Sequence, residues 1–214
     1  MRSFISIIFF LVLCSNTAWS QDDTDSLFAK DSIVSRFLII NSFDATSIDA
    51  RKNKKILFGE LAESVKQLLY NKLAPQFKDQ VIIYPGLLPQ TEKADSIILS
   101  LMADSNASTA IVVKKLDAFF ENTGVEVTGE KNDKTRKVSY DICSVITYQL
   151  YNSEEKLKET EIRVCDPFTE RQTMSGLFAV GPDIVGKRKH ALKIVEKNVE
   201  KLFLSTPPWL VSVK

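Results

Sequence analysis

Apolar and polar positions fall into blocks of distinct period along the chain. Phe4 to Leu13 is an almost unbroken apolar run, and residues 21 to 32 are polar and acidic. Arg36 to Phe43 has the length and composition of a strand. After the polar stretch Asp44 to Lys55, apolar residues recur at helical spacing: Leu57, Leu61, Val65, Leu68, Leu69 and Leu73. Glu60, Glu63, Lys66 and Lys72 fall on the opposite, solvent-facing side, and Pro75 ends the predicted helix. Val81 to Tyr84 reads as a second short strand closed by a Pro85-Gly86 turn. Thr91 is placed to cap a second helix running to Met102, with Ala94, Ile97, Ile98, Leu101 and Met102 buried. Ala110 to Phe120 reads as a third strand. Strand, helix, strand, helix, strand predicts a parallel core.

The pattern then changes. Residues 122 to 136 are polar, contain Gly124 and Gly129, and read as a long loop or ragged hairpin tip. From Lys137 to Tyr151 the chain alternates. Tyr140, Ile142, Ile146, Tyr148 and Leu150 face one way, and Asp141, Cys143, Thr147 and Gln149 face the other, as in a half-buried strand. Asn152 to Glu155 makes a turn, and Thr160 to Cys165 returns antiparallel. An irregular stretch from Asp166 to Gly181 follows, with a short strand at Leu177 to Val180. Asp183 starts a last helix, whose apolar face holds Ile184, Ala191, Leu192, Val195, Val199 and Leu202. Pro207-Pro208 stops it. The predicted class is α/β to α+β: a single domain over 33–206, its mixed sheet made from β-α-β-α-β, a long antiparallel hairpin and a C-terminal helix.

Composition changes this picture mainly at the front. The first 20 residues carry one charge, Arg2, then the apolar run and a small-x-small ending at Ala18-Trp19-Ser20. That is the pattern of a cleavable export signal. The run is too short for the ~20 residues a membrane anchor needs, so no transmembrane segment is expected after processing. Cys14 follows Leu13, whereas lipid-modified cysteines follow a small residue, so cleavage after Ser20 and a periplasmic or secreted location are expected. Removing Arg2 leaves 27 basic against 27 acidic side chains, which gives no overall field for nucleic acid. Residues 21–32 read as a flexible leader and 207–214 as a C-terminal tail.

Candidate chemistry is sparse. If the hairpin turns about residue 154, Cys143 lies opposite Cys165. Directly opposed residues of a non-hydrogen-bonded antiparallel pair, about 4.5 Å apart at Cα, are within reach of a disulfide. An oxidising compartment favours the bond; a register shift of one or two residues would leave two unpaired cysteines. His190 is the one histidine and sits beside Lys187, Arg188 and Lys189, the setting of a solvated surface residue. No multi-histidine metal site, phosphate loop, dinucleotide fingerprint or nucleophile elbow is present, and no cofactor is expected. Asp117, Glu121 and Asp141 are the carboxylates from which a paired-acid hydrolase would be built. Lys131, Lys134 and Arg136 give the loop at 130–137 a modest basic excess, and Trp209 either packs back on the sheet or offers a partner an anchor.

The order of elements, with Thr109 to Phe120, a polar gap and then Val138 to Asn152, resembles a group of bacterial envelope domains. That group includes the N-terminal domain of TolB, the curli-secretion lipoprotein CsgG and the penicillin-binding-protein activator LpoB. Ser20-Gln21 and Pro207-Pro208-Trp209 are similar to exported proteins of Bacteroidota. The resemblance implies a non-enzymatic accessory protein that engages an envelope protein or assembly. The alternatives are a secreted carboxylate hydrolase and a small-ligand or glycan binder.

Overall fold

The computed structural model describes residues 36–128, 135–168 and 182–205, with the backbone alone at 127, 128 and 135–137. The leader, the Leu177 to Val180 strand, Lys131, Lys134 and Trp209 lie outside these residues. Ser35–Lys214 forms one compact unit. Its elements are β1 (Phe37–Asn41), α1 (Lys52–Phe77), β2 (Val81–Leu87), α2 (Ala94–Ser105), β3 (Thr109–Thr128), β4 (Thr135–Asn152), β5 (Lys156–Phe168) and α3 (Arg188–Ser205). One mixed sheet runs in the order β2-β1-β3-β4-β5. β1 pairs parallel with β2 and β3, while β3, β4 and β5 are antiparallel.

Alternate residues of the strands feed two cores. Phe37, Ile39, Ile111, Val113, Ile146, Tyr148 and Leu150 meet Leu61, Val65 and Leu69 of α1 and Val195 and Val199 of α3. Leu38, Ile40, Ala110, Val112 and Tyr151 meet Ile98 and Met102 of α2 on the other face. The second core is small, so α2 buries less than its periodicity suggests: Ile97 is 37% exposed. Both faces of β4 are covered near its C-terminal half, where Thr147 and Gln149 are buried with Tyr148 and Leu150. The half-buried expectation therefore fails there.

Several boundaries differ from the sequence reading for local reasons. Pro75 lies inside the last turn of α1, where the Asn71 carbonyl that it leaves without a donor belongs to an exposed residue. Pro85 and Gly86 lie within β2, not in a turn, because β2 is a sheet edge and an edge tolerates a missing donor. Thr91 does not cap α2 through its hydroxyl; its backbone carbonyl accepts from Ala94 N at 3.0 Å. The helix ends at Asn106, whose φ of 51° suits asparagine, with Ala107 N closing on Met102 O at 2.8 Å. Lys66, expected on the solvent face, is 8% exposed and pairs with Glu63 at 2.5 Å. Asp183 does cap: it accepts from Val185 N at 3.2 Å ahead of a single 3-10 turn and α3.

Candidate functional site

The hairpin turning at Asn152–Glu155, with a bulge between Leu150 and Tyr151, brings Cys143 opposite Cys165, and the two are joined as a disulfide with their Cα atoms 4.1 Å apart. That spacing marks a non-hydrogen-bonded pair, so the Cys143 backbone N–H and C=O point towards β3. Its partner there is Phe119. Phe119 therefore directs its own backbone groups at β4, and Ala118, Phe120 and Asn122 direct theirs away from it. Asp117 Oδ1 accepts from Ala118 N at 2.9 Å, as this phase requires. Arg163 lies over the disulfide, its Nε 3.4 Å from Cys165 Sγ, its guanidinium on the Phe119 ring and in an ion pair with Glu121. Glu121, Cys143 and Cys165 are spaced like metal ligands, but the two sulfurs are bonded to each other and offer no thiolate.

β3 is far longer than its apolar run. Its pairing with β1 stops at Val113, while its pairing with β4 continues to Thr128 opposite Thr135. The described part of β5 ends at Phe168, opposite Tyr140, so among the described residues β3 and β4 continue beyond that point as a two-stranded arm. Residues 122–136, expected to be a long loop or ragged hairpin tip, belong to the hairpin, and 122–128 and 135–136 are strand. Residues 121–126 of β3 are exposed on both faces, Val125 at 44%, so this segment carries no alternation to read. Arg136 lies in the arm opposite Val127. Among the described residues, no strand pairs with the other edge of β3 from Lys114 onward.

A cleft of about 520 Å³ opens at the C-terminal ends of the parallel strands. Its apolar lining is Phe43, Leu87, Leu88 and Pro89; Asp44, Gln90, Lys114 and Lys115 supply polarity. The crossovers through α1 and α2 cover opposite faces, so the chain changes direction at β1, the position where open α/β sheets bind ligands. Gln90 braces the wall, donating from Nε2 to Ser42 O at 3.0 Å and Lys114 O at 2.6 Å. Ser42 Oγ donates to Leu88 O at 3.1 Å. Asp44 is held below the usual carboxylate range by the Thr46 hydroxyl and amide, which donate to it at 2.7 and 2.8 Å.

Beside the cleft lies a connected polar network. Lys114 Nζ donates to both Glu159 oxygens at 3.0 and 3.1 Å, and Gln149 Nε2 donates to Glu159 at 2.8 Å. These bonds, Gln149 first, depress the Glu159 pKa. Tyr151 donates to Asp95 at 2.7 Å; burial and then that bond push its phenol well above the usual range.

The carboxylates marked from sequence do not converge in this cleft. Glu121 and Asp141 are direct cross-strand partners, but Glu121 is committed to Arg163 and Asp117 to Ala118 N. Neither the cleft nor the open groove between α1 and α3 is lined by them. His190 is half-buried, not solvated, and packs edge-on to Phe168 at 5.3 Å. Gln90, Lys114 and Lys115 escaped the sequence reading because they meet only through sheet order.

No family model and no curated protein matches this chain. Among solved structures, the hypothetical protein CT253 from Chlamydia trachomatis is similar at 6% identity, covering 83% of this chain and 98% of that one with a TM-score of 0.41.

Proposed function

We propose that this chain is an exported, non-enzymatic accessory protein of the cell envelope that binds another protein by accepting its strand on the open edge of β3. The export pattern of residues 1–20 and the cross-strand disulfide support the location. No helix among the described residues is long and apolar enough to cross a membrane. The order of elements, resembling the envelope domains named above, supports the accessory role.

The observation that carries the reading is the β3 edge beyond Val113. Unpaired strand edges are templates for another strand, and soluble proteins blunt them. The other two edges are blunted here. β2 carries Pro85, and on β5 the Lys201 amine donates to Arg163 O at 3.1 Å beside a row of charges ending in Pro167. On β3 the Asp117 carboxylate stands where a neighbouring strand's carbonyl would accept from Ala118 N, a contact that an incoming strand can replace.

Asn122→Pro tests this, because the Asn122 N–H points away from β4 and the change removes no ladder bond, only the exposed bond that the Asn122 side chain accepts from Gly124 N at 3.0 Å. Tagged protein beginning at Gln21 is expected to recover a specific partner from envelope extract, and the Asn122→Pro protein to lose it with its unfolding midpoint unchanged. Equal recovery by the variant would overturn the edge reading, and no specific recovery by the parent protein would overturn the binding role. Mass spectrometry of the natural product should begin at Gln21; a retained Met1 or a lipid on Cys14 would overturn the export reading.

A further inference from the structure

The strand-end cleft supports a second site, independent of any partner strand. Its volume lies in the range of small-molecule pockets, and its lining joins an apolar side, Phe43, Leu87, Leu88 and Pro89, to a polar and charged one. Leu87 forms part of that wall and is 47% exposed, a large apolar side chain left to water at the mouth of a concave site. Charge is the discriminating feature. Lys55 donates to Thr46 O at 2.7 Å and favours the charged form of Asp44; Lys114 is committed to Glu159. The carboxylate nearest along the strand on the face of Lys115, Asp117, is turned to Ala118 N. Among the described residues Lys115 makes no ion pair, and it lines the cleft as its one uncommitted cation.

We infer that the cleft binds a small monoanion with an apolar body, a carboxylate or sulfonate on a hydrocarbon frame. Lys115 receives the charge, and the body covers Leu87 and Pro89, the exposed apolar residues of the lining. Neutral molecules of the same shape bind more weakly, because they bring nothing to replace the water that Lys115 gives up, and a cation meets Lys115 while the one carboxylate of the lining, Asp44, is already bonded to Thr46.

The test uses full-length mature protein and three probes of one shape: octanoate, octanol and octylammonium. By titration calorimetry, octanoate should bind one-to-one, about tenfold tighter than octanol, the size of effect expected for a charge-assisted hydrogen bond. Octylammonium, which meets Lys115 as well as the Asp44 carboxylate, should bind no tighter than octanol. Lys115→Met should bring octanoate down to the octanol affinity while leaving octanol unchanged. Leu87→Ser, at a site already half open to water, should weaken octanoate and octanol alike. Lys193→Met, in the groove between α1 and α3, should change neither. Amide shifts induced by octanoate should centre on Ser42, Gln90 and Lys115. The inference is overturned if octanol matches octanoate, if Lys115→Met leaves octanoate unchanged, if the shifts centre elsewhere, or if the folded protein binds none of the three.

Discussion

Removing the Cys143–Cys165 bond separates two contributions to stability that are often merged. The bond links positions 22 residues apart. Restricting a loop of that length in the unfolded chain is worth about 3 kcal/mol in the chain-entropy account. Cys143 is 0% exposed, so replacing both residues by alanine adds a small void beneath Arg163, about 1 kcal/mol more. Reduction without mutation keeps the sulfurs and removes only the crosslink. Urea unfolding of the oxidised protein, the reduced protein and Cys143→Ala/Cys165→Ala should therefore rank them in that order of stability. At a slope of about 2 kcal/mol/M, the reduced protein should unfold about 1.5 M earlier. The slope itself should rise slightly when the crosslink goes, because the freed unfolded chain exposes more surface. A loss under about 1 kcal/mol on reduction would refute the loop argument. Non-reducing peptide maps without a joined Cys143–Cys165 fragment would refute the register itself.

Two further changes follow from the polar contacts. Asn198 is buried under α3, donates to Ile162 O at 2.7 Å and Ser144 O at 3.2 Å, and accepts from Tyr148 OH at 3.2 Å. Asn198→Ala removes all three bonds and strands that phenol, and should cost about 2–3 kcal/mol in thermal unfolding, whereas Tyr148→Phe removes one and should cost about 1 kcal/mol; equal losses would show that the two bonds to the carbonyls add nothing. Glu159 is held below its ordinary pKa of 4.5, so its carboxylate adds stability that is complete above that value and is lost as pH falls through the folded value. Glu159→Gln should flatten the acid limb of a stability–pH profile below about pH 4.5, leaving the slope due to Asp44 and Glu63, whose pKa values are also lowered; an unchanged limb would refute the assignment.

The sequence by itself determined whatever depends on local periodicity. β1 and the start of β3 are legible as short continuous apolar runs because both of their faces are buried, and α1 and β4 from helical spacing and alternation. The cysteine pair is legible once the hairpin is centred on residue 154: Cys143↔Cys165 shares the register of Leu150↔Lys158, which a bulge next to the turn sets one residue away from Tyr151↔Lys156. Only the tertiary structure decided the rest. Pro85-Gly86 reads as a turn until sheet order makes β2 an edge, and the outer half of β3 reads as a loop because neither face meets a core. The cleft depends on Ser42, Gln90 and Lys114, 24 residues separating the last two, meeting where crossovers on opposite faces leave the strand ends open. No local pattern encodes that meeting, because it arises from strand order and not from the period of any one strand.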